Sequence, residues 1–121
     1  MRSRAGAALL AALFLSLPCA AKDVAFELDL VGGVVPVKQR YLRVAKDDEV
    51  TVRIVSDVAG ELHLHGYKLE AKVAPGKPAH LKFKAFATGR YRFDWHPASA
   101  PDARAGPAHG PAPATLEVRP R

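Results

Sequence analysis

Apolar and polar residues alternate along most of this chain in short runs with the two-residue period of an extended strand. The run from Val24 alternates strictly through Phe26-Glu27-Leu28-Asp29-Leu30 and stops at Gly32-Gly33, a turn signal. Tyr41-Leu42-Arg43-Val44 predicts a second short strand, and Lys46-Asp47-Asp48 a polar turn after it. Val50 to Ser56 is rich in β-branched residues, which suit a pleated surface. Glu61 to Leu69 reads as one extended segment, with Gly66 as a bulge or a point of close backbone approach. Pro75-Gly76 turns the chain into Ala79 to Phe86, where Leu81, Phe83 and Ala85 face a core and His80, Lys82 and Lys84 face water. After Thr88-Gly89, the segment Arg90 to Trp95 sets Tyr91, Phe93 and Trp95 on one face, and Thr115 to Val118 closes the pattern. No segment beyond the first 21 residues has a helical period. Seven or eight strands at this spacing predict an all-β Greek-key sandwich or barrel.

The first 21 residues read differently, as a secretory leader. Arg2 and Arg4 precede an uncharged apolar run, Ala7 to Leu17, that is short for a membrane span. Cys19-Ala20-Ala21 offers small residues for cleavage before Lys22, so the expected division is a leader over 1–21 and one domain over 22–121. Pro18 argues against a lipid-modified Cys19. The expected location is the periplasm or the extracellular space, with no transmembrane segment in the mature chain. About 100 residues suffice for one domain with one core.

Removing the leader changes the chemistry available. The only methionine is Met1 and the only cysteine is Cys19, so the mature chain holds no sulfur. Its net charge falls from +6 to +4 as Arg2 and Arg4 leave, and the remaining surplus is scattered over strand faces. Nothing in that scatter resembles a nucleic-acid-binding motif. No nucleophile elbow or phosphate-cradling glycine loop occurs, and no enzymatic activity is expected.

Histidine carries the candidate chemistry. His63 and His65 lie two apart, on one face of a regular strand, with Leu62 and Leu64 on the other. His96 stands where the Tyr91–Trp95 strand meets Pro97, although alternation sets it opposite Trp95. His109 has small neighbours near the end of the Pro97–Pro113 stretch, a Pro/Ala/Gly-rich connection longer than compact domains commonly carry. His80 shares a solvent face with Lys82 and Lys84 and is set aside. Imidazole donors without thiolate suit Cu(II) and also Zn(II), and exclude a blue-copper centre.

Several pieces together resemble the cupredoxin family of copper-binding β-sandwiches. Val50 to Ser56, Asp57 and then His63 resemble the strand and loop that deliver that family's first histidine ligand. Gly89-Arg90-Tyr91-Arg92-Phe93-Asp94-Trp95 resembles its Gly-x-Tyr-x-Phe-x-Cys strand, with Trp95 at the cysteine position. Thr115 to Val118 resembles its closing strand. The likeness runs from Val24 to Val118 and implies a cupredoxin-like fold with an altered metal site. The thiolate is replaced by Trp95, no methionine follows, and His109 lies thirteen residues beyond His96. The resemblance therefore implies copper handling through His63 and/or His65, His96 and His109, without fast electron transfer. The competing expectation is a metal-free sandwich that contacts another envelope protein through the Pro97–Pro113 loop.

Overall fold

The computed structural model describes residues 12–17, 20–99 and 112–121. Eight strands form among them: β1 (Asp23–Leu30), β2 (Tyr41–Ala45), β3 (Glu49–Ser56), β4 (Gly60–Leu64), β5 (Leu69–Val73), β6 (Ala79–Lys84), β7 (Gly89–Pro97) and β8 (Ala114–Arg119). They build two sheets, ordered β1-β3-β6 and β2-β8-β7-β4-β5. Two pairings are parallel, β1 with β3 and β2 with β8; the others are antiparallel. The expected β-sandwich is therefore the one observed.

Alternation decides what the sheets enclose. Leu28, Leu30, Val50, Val52, Ile54 and Leu81 point inward from one sheet; Leu42, Leu62, Leu64, Phe93 and Leu116 do so from the other, all buried. Burying a side chain of this size contributes roughly 1.5–3 kcal/mol, which lets a domain of this length fold without a disulfide. Alternate residues face out: His80, Lys82 and Lys84 are exposed, as their period predicts. Part of the positive charge on the outer face is neutralised locally. Glu117 receives Arg43 and Arg119 at 3.2 Å each and Arg90 at 3.5 Å.

The Glu61–Leu69 segment differs from expectation. It is a hairpin, with β4 ending at Leu64 and β5 starting at Leu69. Gly66 has φ +84° and Lys68 φ +54°, so the chain reverses between them. Gly66 is also a point of close approach, since a Cβ there would fall 2.4 Å from Tyr91 Cδ1.

Tyr67 plugs the core beside this turn. Its hydroxyl donates to the Ala87 carbonyl at 3.0 Å and accepts from the Ala87 N–H at 3.2 Å, while its ring meets Phe83, Phe86 and Tyr91. Burial pushes the phenol up, against the hydrogen bond with Ala87. Tyr91 shares its hydroxyl proton between the Ala87 and Thr88 carbonyls, and Tyr67→Phe strands the Ala87 N–H. That change is expected to cost about 1 kcal/mol, measured by urea denaturation.

Residues 12–17 form neither helix nor strand, and Leu13, Phe14, Leu15 and Leu17 are exposed. No helix among the described residues is long and apolar enough to cross a membrane.

Candidate metal centre

Strand register brings the polar groups of three neighbouring strands together on the outer face of the five-stranded sheet. His63 on β4 stands opposite Glu70 on β5 and Asp94 on β7. One step along the same face, Glu61 stands opposite Lys72 and His96. These side chains project outward because Leu62 and Leu64, the alternate residues of β4, are drawn into the core.

A cleft of 320 Å³ opens at this end of the sheet, lined by Gly60, Glu61, His63, Lys72, His96 and Pro97 among others. His63 and His96 meet edge to face with ring centroids 4.6 Å apart. One donor atom from each of Glu61, His63 and Glu70 falls within 4.8 Å of the other two.

His63 Nε2 is the informative atom. Glu61 Oε1 lies 2.9 Å away, yet the nitrogen is buried and the direction does not make a hydrogen bond. Metal bonds of about 2.0–2.2 Å to imidazole nitrogen and carboxylate oxygen let two donors at this separation share one ion. Glu70 Oε1 lies 3.8 Å from the other ring nitrogen, too far for a direct hydrogen bond. The two carboxyl groups also interact. A hydrogen bond with Glu70 holds Glu61 below its ordinary value, against desolvation, and the charges of His63 and Lys72 act in the same direction.

The expected ligands thus separate. His63 and His96 come together. His65 stands beyond the end of β4, more than half exposed, with Nε2 2.5 Å from Asp94 Oδ2, and is not in the donor group. His109 and most of the Pro97–Pro113 loop lie outside the described residues. The donor group itself is His63 with Glu61 and Glu70, and His96 packs against His63 without being among its donors. Sequence spacing gave no sign of Glu70, because only the β4–β5 hairpin carries it across from His63.

No protein-family profile and no curated protein matches this chain. Solved structures do. A chain of a heme-copper terminal oxidase dimer aligns with TM-score 0.61 at 19% identity, over 80% of this chain and 65% of that one. A multicopper oxidase, mgLAC, aligns at 0.56 and 17%, over 84% and 40%. The copper nitrite reductase from Nitrosomonas europaea aligns at 0.59 and 17%, over 82% and 42%. The fold is cupredoxin-like. The chain spans less than two thirds of each of those longer chains.

Within that fold the histidines do not share the side of β7 that carries Trp95. Trp95 turns inward with Tyr91 and Phe93, whereas Asp94 and His96 turn outward. The indole fits between two glycines. A Cβ on Gly33 would fall 2.8 Å from Trp95 Cδ1, and one on Gly60 2.5 Å from Cη2 and Cζ2. Trp95 is thus core filling, and the imidazole cluster occupies the opposite face of the same sheet.

Proposed function

We propose that this is an exported copper-binding domain that takes one Cu(II) ion in the outer cleft of the five-stranded sheet. His63 and His96 supply imidazole, and Glu61 and Glu70 supply carboxylate. The observation that carries the reading is the buried His63 Nε2, without a hydrogen-bond partner and 2.9 Å from a carboxylate oxygen. Imidazole and carboxylate without thiolate suit Cu(II), with Zn(II) as the competing ion. The copper proteins that share the fold support copper over zinc. The domain's role in this reading is copper binding, trafficking or tolerance, with His65 and His109 as further donors to be tested.

The test is Cu(II) titration of the chain from Lys22 onward, followed by calorimetry and electron paramagnetic resonance. One ion per chain is expected, with a tetragonal nitrogen-and-oxygen spectrum and no intense thiolate band. His63→Ala and His96→Ala should each weaken binding at least about tenfold, as lost metal-site groups do. His80→Ala, on the far sheet, should not. Failure to take up Cu(II), or equal affinity in the His63 and His96 variants, defeats the proposal and favours a metal-free interaction module.

A further inference from the structure

We infer that Asp48 is the receptor for the α-ammonium group that leader removal creates at Lys22. The inference is independent of the metal reading and concerns the opposite end of the sandwich. Asp48 closes the turn between β2 and β3 and is 4% exposed. Its Oδ2 accepts the Ala45 N–H at 2.8 Å. Its Oδ1 accepts the Lys22 main-chain N–H at 3.0 Å and also meets the Arg121 guanidinium. The Lys22 carbonyl in turn accepts from Glu49 N at 2.9 Å, so Lys22 is fixed on both sides where β1 begins to pair with β3.

The bond expected to be cut lies immediately before this nitrogen. Ala20, Ala21 and Lys22 are all exposed, whereas the carboxylate beneath them is not. Hydrolysis adds water across the Ala21–Lys22 amide. The carboxylate leaves on Ala21 with the leader, and the ammonium stays on Lys22. A neutral donor 3.0 Å from a buried carboxylate thereby becomes a charged one, and charge-assisted hydrogen bonds are roughly twice as strong. Among the described residues, the leader takes with it the Ala20 carbonyl that accepts from Arg121 at 2.7 Å. Arg121 keeps Asp48 and the Lys46 carbonyl. Cleavage therefore strengthens the contact between Lys22 and Asp48.

The charge states fix the pH window. Burial pushes Asp48 up, but hydrogen bonds from Lys22 and Ala45 and the Arg121 guanidinium outweigh it and leave the carboxyl below its ordinary value. Its stabilising contribution is present above that ordinary value and is lost as pH falls through the folded one. The α-ammonium behaves oppositely. Paired with Asp48, its pKa rises above the usual value of about 7.7–8.0, so its contribution is full below that range and is lost as pH rises through the folded value. The other charged residues of the elements meeting here are Asp23, Lys46, Asp47, Glu49, Lys84 and Arg119, among which Lys84 lies 3.9 Å from Glu49.

The experiment exports the full chain and sequences the amino terminus of the product. Lys22 is expected first, and any other first residue overturns the inference. The mature protein is then compared with an Nα-acetylated form and with one retaining Ala20-Ala21. At pH 6 the mature protein should melt higher than either by about 4–8 °C. The gap should vanish at pH 10 and in an Asp48→Asn background. Equal melting at pH 6, or a gap that survives Asp48→Asn, overturns it. Should Asp48→Asn not fold, nuclear magnetic resonance titration of the Lys22 α-nitrogen in the mature wild type decides. A value above the ordinary range supports the pairing, and one within or below it does not.

Discussion

Phe93→Ala is expected to lower the free energy of unfolding by about 3–5 kcal/mol, the range for a fully buried aromatic side chain. Phe93 is 0% exposed and lies in β7, with Leu64 of β4 on one side and Ala114 of β8 on the other. Ala114 is too small to fill the space the ring vacates, so the cavity stays open and the cost falls toward the upper end. A domain of this size has roughly 5–15 kcal/mol in total, so the variant keeps a marginal fold. Urea denaturation followed by circular dichroism measures the loss. Because the ring points inward while Asp94 and His96 point outward, Cu(II) affinity of the folded fraction should stay near the wild-type value.

Gly60→Ala should damage stability and the cleft together. The new Cβ would lie 2.5 Å from the Trp95 ring and 2.7 Å from the His96 carbonyl. The ring has little room to retreat, since Gly33 already admits it closely on its other side. The strand must then shift, at about 1–3 kcal/mol for overpacking of this kind. Since the obstructing carbonyl belongs to His96, the shift carries the imidazole away from His63. The expected result is a lower melting temperature and weaker Cu(II) binding in one variant. Gly76→Ala is the control. It has φ +71° but nothing within 4 Å of its Cβ, and it should lose some stability without changing affinity.

Strand positions and their inward faces were legible because both follow from a period of two, which is written in the sequence. Val50 to Ser56, Arg90 to Trp95 and Thr115 to Val118 each fall within one strand, and Tyr91, Phe93 and Trp95 share the inner face of theirs. The hairpin at Gly66 was less legible. Glycine signals close approach and reversal equally, and only Lys68 in a left-handed conformation completes the turn. The candidate site was only partly written in the strand pattern. His63 and His96 could be named from their strands, but Glu70 faces His63 only once β4 and β5 are paired. The loss of Asp48 to the interior was hidden for a similar reason. Lys46-Asp47-Asp48 reads as a solvated turn until both chain ends fold over its last carboxylate.

Those chain ends have a consequence of architecture. Ala20 and Arg121 touch across 101 positions of sequence, at the end of β7 away from Gly60 and Pro97. Entry and exit at one pole, with the cleft at the other, is the arrangement that lets a domain be spliced into a longer chain without covering the cleft. The same geometry makes this pole the place to attach a tether or a reporter, at the end of the sheet away from the cleft.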